Sequence, residues 1–218
     1  MFTKSIIDIV AAALAFSSVA VAAPASVPQL STSAQLQLAD TATDRYSILT
    51  KDKDFVYDFT DAPFPLANRK FFPALTGTGL AIAPAVFPAC SIASLHIHPR
   101  SSEIFYVVSG SVVTRMIPET GARVVKNTLT ANQTTIFPQG SLHMQMNTEC
   151  EPAVIVAAFS SDDPGATLVI PAVFSLDDEL VLDSFAGSLS KEDLDKIRTV
   201  IPRGPLFEVE ECKKKCNV

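Results

Sequence analysis

The chain contains no tryptophan and only three histidines among its 218 residues. Its 15 prolines and eight glycines predict many short elements joined by turns. The sequence also has no basic stripe, because 17 Lys and Arg stand against 23 Asp and Glu, a net charge of −6. A nucleic-acid-binding protein normally carries such a stripe, so we expect no nucleic acid as a partner. At this length the chain is expected to form one domain with extensions.

Long apolar runs are absent except at the N-terminus. Residues 1–22 carry the basic Lys4 near their start, an apolar run at 9–16 and the small residues Ala20-Val21-Ala22 at their end. This arrangement predicts a secretory signal peptide cleaved after Ala22. A membrane anchor is the alternative interpretation, but the run is too short to span a bilayer comfortably. We therefore expect a secreted, extracellular protein without a membrane partner.

Because the protein is expected to be secreted, its even number of cysteines predicts disulfide bonds. Disulfides form in oxidising compartments, and four cysteines allow three pairings, between which the residues alone do not choose. The cysteines are Cys90, Cys150, Cys212 and Cys216. The tripeptide Asn132-Gln133-Thr134 is a glycosylation sequon and predicts that Asn132 lies on the surface.

The distribution of turn residues divides the rest of the chain. Residues 23–54 predict an N-terminal arm with little structure of its own. Short strand-like segments fill 55–172 and predict an all-β sandwich or barrel. Residues 173–204 predict a helical extension, in which Ser190 resembles a capping residue, and residues 205–218 predict a charged, solvated tail. The predicted strands are 55–59, 80–87, 91–98, 104–108, 112–117, 123–129, 134–137, 143–147 and 153–159.

All three histidines fall into one pattern with a glutamate. Residues two apart on a strand point to the same side, so His96 and His98 project together. Glu103 begins the next predicted strand, and His143 follows the turn at Pro138-Gln139-Gly140. A lone histidine on a strand usually serves packing, but three imidazoles and a carboxylate are natural ligands for a divalent metal. The pattern predicts one metal site inside a curved sheet.

Two segments carry a family resemblance. HIHPRSSE and FPQGSLHMQMN resemble the two motifs of the cupin family in its germin, germin-like and spherulin form. The resemblance implies a cupin jelly-roll β-barrel with a short C-terminal helical extension. It also implies manganese bound by His96, His98, Glu103 and His143, and a homo-oligomer formed through the C-terminal helices. The ligand chemistry alone would also accept another divalent transition metal.

The resemblance further implies one of two functions. The first is an oxidoreductase, acting on superoxide as a superoxide dismutase or on a small carboxylate as an oxalate oxidase. Ala93 stands where oxalate oxidases of the family have an asparagine that helps to hold the substrate, which weakens the second activity. Gln145 and Asn147 are candidate substrate contacts, or else they bind neighbouring turns. The alternative function is a non-catalytic secreted wall or coat protein with a structural metal.

A disulfide pairing follows from the same resemblance. In a cupin the two histidine-bearing strands are antiparallel neighbours, which brings residues before His96 close to residues after His143. We therefore predict a Cys90–Cys150 disulfide, with Cys212 and Cys216 bonded to each other or to a partner chain.

Overall fold

The computed structural model describes residues 29–217, and the residues from Ser31 onward form one compact unit. The predicted signal peptide at 1–22 lies outside the described residues. Within residues 29–217, no helix is both long and apolar enough to cross a membrane.

Within residues 29–217, ten strands form two sheets that enclose the core. The strands are β1 (Ala81–Phe87), β2 (Ser91–Ile97), β3 (Glu103–Ser109), β4 (Ser111–Ile117), β5 (Val125–Thr130), β6 (Thr134–Phe137), β7 (Leu142–Met146), β8 (Ala153–Phe159), β9 (Thr167–Leu168) and β10 (Leu206–Glu208). One sheet has the order β1-β8-β3-β6, and the other has the order β10-β2-β7-β4-β5, with β9 also paired to β2. Side chains alternate between core and exterior as a half-buried strand requires, and the buried core is rich in Phe and Ala.

Helices flank this barrel on both sides in the chain. Two precede it, a group of three follows it, and one ends the described chain. They are α1 (Thr32–Leu38), α2 (Ala42–Ile48), α3 (Val169–Val173), α4 (Asp178–Ser184), α5 (Lys191–Val200) and α6 (Glu210–Cys216), with 3₁₀ turns at Asp52–Phe55 and Pro73–Leu75. As predicted, Ser190 caps α5, and its hydroxyl accepts a hydrogen bond from the Asp193 amide. The all-β prediction with a C-terminal helical extension is confirmed.

The N-terminal arm departs from the expectation. The first strand predicted for the barrel, at 55–59, is not formed. Phe55 ends a 3₁₀ helix that begins at Asp52, where the Asp54 carboxylate accepts a hydrogen bond from the Lys51 amide. The arm itself contains α1 and α2, so it is more structured than predicted. Thr41 and Asp44 form a reciprocal capping box at the start of α2, which satisfies amides that a helix start leaves unpaired.

The cysteine pairing also differs from the prediction. Cys90 is bonded to Cys212, and Cys150 to Cys216, so the predicted Cys90–Cys150 bridge is wrong. The Cys90 amide does reach the carbonyl of Glu149 at 3.2 Å, next to Cys150 in the chain. Helix α6 lies over this end of the barrel, however, and provides a partner for each cysteine.

The C-terminal segment is consequently part of the fold. Strand β10 pairs with β2, placing Leu206 opposite Ala93, and the Val209 amide donates to the carbonyl of Cys90 at 2.7 Å. Two disulfides then hold α6. The segment expected to be a solvated tail therefore closes one end of the barrel.

Asn132 lies in the turn between β5 and β6. It is exposed and has a left-handed backbone with φ of 66°, a conformation that asparagine tolerates better than most residues. Its predicted surface position is confirmed, and its glycosylation stays a prediction.

Candidate metal centre

The barrel brings the predicted ligands together from three strands. Strands β2 and β7 are antiparallel neighbours with His96 opposite His143. Glu103 is the first residue of β3 in the other sheet, and His98 follows the end of β2. One ligand atom from each of these residues lies within 4.8 Å of all the others. An ion about 2.1 Å from each ligand separates opposite ligands by about 4.2 Å, so the cluster has the size of a single metal site.

Backbone carbonyls orient all three imidazole rings. The Nδ1 atoms of His96, His98 and His143 lie 2.6, 2.6 and 2.8 Å from the carbonyl oxygens of Ser94, Gly165 and Ser141. A carbonyl only accepts hydrogen bonds, so each Nδ1 carries a proton, and each ring in its neutral form presents an Nε2 lone pair to the interior. That tautomer is the one a metal needs at all three positions.

Glu103 faces two of these Nε2 atoms. Its Oε2 lies 2.9 Å from His98 Nε2 and 3.2 Å from His143 Nε2. Burial alone would raise the pKa of the Glu103 carboxyl, but the hydrogen bonds of His143 and His98 outweigh it and lower this pKa to about 2. The carboxylate is therefore an anion at neutral pH, as a metal ligand must be.

The pKa values of His96 and His98 are shifted in opposite directions. Desolvation, helped by the nearby His143, lowers the pKa of His96 to about 4, so this ring is neutral at neutral pH. Desolvation would also lower the pKa of His98, but the Glu103 carboxylate and the Gly165 carbonyl together raise it.

Aromatic side chains pack against the imidazole rings of His98 and His143. Phe137 stacks on His143 with ring centroids 4.2 Å apart and planes 7° from parallel. Phe159 meets His98 edge-on at 4.8 Å. These contacts limit rotation of the imidazoles, which preorganises the ligands before any ion arrives.

The two candidate substrate contacts, Gln145 and Asn147, lie in different environments. Gln145 lies between Ala93 and Thr114 in the registers of β2 and β4, and it is only 2% exposed. Its Oε1 has no hydrogen-bond partner within residues 29–217. A buried polar atom without a partner is costly, so this oxygen is available to accept a hydrogen bond from a ligand or a water.

Asn147 instead fills its hydrogen-bonding capacity with backbone. Its Nδ2 donates to the carbonyl oxygens of Phe87, Pro88 and Glu151, and its Oδ1 accepts from the Glu149 amide. The side chain therefore holds neighbouring turns together at the end of the barrel that carries the two disulfides.

Sequence reasoning missed the supporting groups. Gly165 has a φ of 66°, and a Cβ there would meet Arg100 at 2.7 Å, so glycine lets its carbonyl approach His98. Arg100 fixes this loop through Asp163 at 2.9 Å. The turn sequence Asp163-Pro164-Gly165 is a usable signal for the loop, whereas backbone carbonyls as such leave no trace in a sequence.

Comparisons with known proteins agree with this geometry. The family model described as Cupin matches residues 48–191. Spherulin-1B of Physarum polycephalum is 31% identical over 98% of this chain and 91% of its own length. Putative germin-like protein 9-2 of Oryza sativa subsp. japonica is 34% identical over 60% of this chain and 64% of its own length. A solved oxalate oxidase superposes with a TM-score of 0.57 at 21% identity, covering 69% of this chain and 79% of its own.

The oxalate oxidase comparison, at this low identity, shows the fold alone. The family model covers most of the chain, and the spherulin alignment covers nearly all of it. The chain therefore belongs to the cupin family, among the spherulins and germin-like proteins.

Proposed function

We propose that this protein is a secreted, germin-like metalloprotein that binds one manganese ion through His96, His98, Glu103 and His143. The observation that carries the proposal is the shared tautomer of the three rings, whose Nδ1 atoms all face backbone carbonyls. Three neutral imidazoles and one carboxylate leave a divalent ion with about one positive charge, which suits the binding of a small anion. The germin-type motifs favour manganese over other divalent transition metals.

The activity we propose is that of an oxidoreductase, with superoxide as the preferred substrate. Bound manganese would supply open coordination positions and a change of oxidation state. Gln145 would orient a water that accompanies the incoming anion, because its buried Oε1 has no partner within residues 29–217 and can accept a hydrogen bond from that water. Superoxide needs little more than access to the metal.

Oxalate is the less favoured substrate because of one position. Ala93 lies opposite Gln145 across β2 and β7, and its methyl group donates no hydrogen bond. A dicarboxylate has two charged ends to hold, and a site that lacks a donor for one of them binds it weakly. Oxalate oxidation is therefore expected to be weak or absent.

A non-catalytic role is the second candidate, and the packing around the ligands favours it. Glu103 and His143 are almost fully buried, and aromatic rings pack against His98 and His143. In a wall or coat protein, such a buried ion would act as a structural clamp.

The deciding experiment measures metal, water access and turnover on one preparation. We expect about one manganese per chain in metal analysis, proton relaxation of water that reports exchange at the ion, and superoxide dismutation without peroxide release from oxalate. His143→Ala removes a ligand, and Met144→Ala is the matched control, because Met144 points to the opposite face of the same strand.

Each alternative has its own outcome in this experiment. Full occupancy with no water exchange and no turnover would assign the protein to the structural role. Robust peroxide release from oxalate would contradict the argument from Ala93. Absence of any bound transition metal in the wild-type protein would overturn the metal site itself.

Secretion is supported by the covalent chemistry of the fold. The Cys90–Cys212 and Cys150–Cys216 bonds persist in an oxidising compartment and not in a reducing one. We expect the exported protein to begin at Ala23, which N-terminal sequencing of secreted material tests directly.

A further inference from the structure

The two disulfides at one end of the barrel lie against each other. Cys90 is bonded to Cys212, and Cys90 Sγ lies 3.6 Å from the Sγ atom of Cys216 in the second bond. The sulfur atoms of Cys90, Cys212 and Cys216 all lie within 4.8 Å of one another, and Cys150 is bonded to Cys216. The four sulfur atoms form one group, which we call the sulfur cluster. A thiolate released from one of its bonds therefore lies within reach of the other bond.

The two bonds of the sulfur cluster differ in their exposure to solvent. Cys90 is completely buried, and Cys212 and Cys216 are partly buried, whereas Cys150 is exposed. Exchange begins when a thiolate attacks a sulfur atom to which it has access. A dissolved thiol is therefore expected to attack Cys150 first, and Cys216 is then the leaving sulfur.

The charges around the exposed bond favour the same direction of attack. Glu149 and Glu151 flank Cys150 in the chain and are exposed, so their carboxylates disfavour a thiolate at Cys150. The exposed Lys215 precedes Cys216 on α6, and a neighbouring positive charge favours the thiolate form of a cysteine. Because a more readily ionised thiol leaves a disulfide faster, the bond is expected to break with the negative charge on Cys216.

A second transfer can follow inside the sulfur cluster. The Cys216 thiolate would lie beside Cys90 Sγ, 3.6 Å away, and attack there forms a Cys90–Cys216 bond and releases Cys212. Attack on Cys212 would instead release Cys90, where complete burial disfavours a thiolate. Cys212 Sγ lies 3.4 Å from the carbonyl oxygen of Thr148, which can accept a hydrogen bond from the released thiol. The structure therefore favours Cys212 as the final free cysteine.

We propose that the four cysteines form a thiol–disulfide exchange site that accepts a low-molecular-weight thiol at Cys150. The incoming thiol loses its proton and forms a mixed disulfide with Cys150, while the bond from Cys150 to Cys216 breaks. Cys216 then bonds to Cys90, and Cys212 leaves and takes up the proton. Two disulfides and one thiol are present before and after these steps, so no separate oxidant or reductant is needed.

The exchange keeps α6 attached to the barrel. Cys90, directly before β2, changes its partner from Cys212 to Cys216, one helical turn further along α6. The product carries a bound thiol on the surface and a new thiol at Cys212. The sulfur cluster contains no residue of the metal centre, so this inference is independent of the proposed function.

The experiment treats the secreted, fully oxidised protein with a molar excess of reduced glutathione. At early times, free thiols are blocked with N-ethylmaleimide, and peptides are mapped by mass spectrometry without reduction. We expect glutathione on Cys150, N-ethylmaleimide on Cys212 and a peptide that joins Cys90 to Cys216.

Two single substitutions test the second transfer without an added thiol. Cys150→Ser leaves Cys216 as a free thiol beside Cys90, so most chains should contain a Cys90–Cys216 bond and N-ethylmaleimide on Cys212. Cys216→Ser is the matched control, because it removes the same bond but leaves the free thiol on Cys150. There the Cys90–Cys212 bond should persist, and a thermal melt checks that both variants are folded.

A charge reversal tests the first step. Lys215→Glu should slow the appearance of the Cys150 adduct several-fold, whereas Lys126→Glu, on the edge strand β5 at the opposite side of the sheet from β10, should not. Glutathione on a different cysteine, or on none, would overturn the proposal. So would a Cys150→Ser protein that keeps the Cys90–Cys212 bond and carries N-ethylmaleimide on Cys216. Equal rates for the two lysine variants would contradict the proposed direction of bond breaking.

Discussion

The two ends of strand β2 are held by different chemistry, although one short strand joins them. At the His96 end, buried polar groups converge, since each histidine Nδ1 is bonded to a carbonyl and each Nε2 points inward. Gln145 Oε1 there has no partner within residues 29–217. At the Cys90 end, disulfides and the amide of Asn147 leave little bonding capacity unused. We refer to these regions as the metal end and the disulfide end.

The difference indicates where function lies. A buried polar group with a complete set of partners stabilises a fold, whereas one with an incomplete set costs stability unless a ligand completes it. By this criterion, we expect ligand binding at the metal end, whereas the disulfide end stabilises the barrel. If so, each end can be disrupted without loss of the other.

The largest expected effect comes from His96→Ala combined with His98→Ala. Two of four ligands are lost, so we expect metal content to fall from about one ion per chain to background. A metal that binds only the folded state at about 1,000 times its dissociation constant contributes about 4 kcal/mol to the free energy of unfolding. The thermal melt of the variant should therefore no longer respond to a chelator.

Metal analysis and melts with and without chelator measure this effect. Peptide mapping should find both disulfides intact in the histidine variant, because the two ends are independent. Full metal occupancy in the double variant would rule out the proposed ligand set.

The second prediction disrupts the disulfide end. Cys90→Ala with Cys212→Ala removes a bridge between residues 122 apart in sequence, worth about 5 kcal/mol in the chain-entropy model. The remaining Cys150–Cys216 bond already shortens that loop, so we expect a loss of about 2–4 kcal/mol in the free energy of unfolding. Metal content should stay at the wild-type level.

Urea unfolding of the wild type and the variant, followed by fluorescence of the tyrosines, measures this loss. Cys150→Ala with Cys216→Ala is the matched control, since it removes the neighbouring bridge and leaves the first in place. Loss of the metal together with either bridge would show that the two ends are coupled.

The same comparison explains what the sequence could predict. The metal end depends on residue parity along β2 and on the first residue of β3, which are local properties, so His96, His98 and Glu103 could be placed together in advance. The disulfide end depends on where β10 and α6 return after three helices. Long-range chain paths of that kind leave no periodic pattern, and the pairing of Cys90 was therefore mispredicted.

The N-terminal arm is a different kind of error. The capping residues Ser31 and Thr41 and the acidic Asp44 are recognisable helix-start signals in the sequence, whereas the polar composition around them predicts an unstructured arm. At 55–59, aromatic residues at every second position resemble a strand, but in the described part of the chain no neighbouring strand pairs with this segment.

The third prediction concerns Asn147 at the disulfide end. Asn147→Ala leaves the carbonyl oxygens of Phe87, Pro88 and Glu151 without their shared donor in a buried turn. We expect a loss of about 2–3 kcal/mol in the free energy of unfolding, and no change in metal content or turnover per bound ion. Chemical denaturation and metal analysis on the same preparation test both halves of this expectation. A fall in turnover at full metal occupancy would instead assign Asn147 to substrate binding.

The smallest effect on stability, and the sharpest on function, is expected for Gln145→Leu. The change replaces a buried amide, whose Oε1 has no partner within residues 29–217, with an apolar group of similar volume. Removing an unsatisfied polar atom is close to neutral or slightly stabilising, so the free energy of unfolding should change by less than about 1 kcal/mol. Manganese should remain bound, because all four ligands are intact. Turnover of superoxide, measured per bound ion, should fall because the water that accompanies the anion loses the oxygen that orients it. Gln145→Glu, which keeps an oxygen at this position but adds a negative charge, should reduce turnover further by repelling the anion. If both variants turn over like the wild type, Gln145 is not a substrate contact, and the incomplete hydrogen bonding that distinguishes the metal end is confined to the ligands themselves.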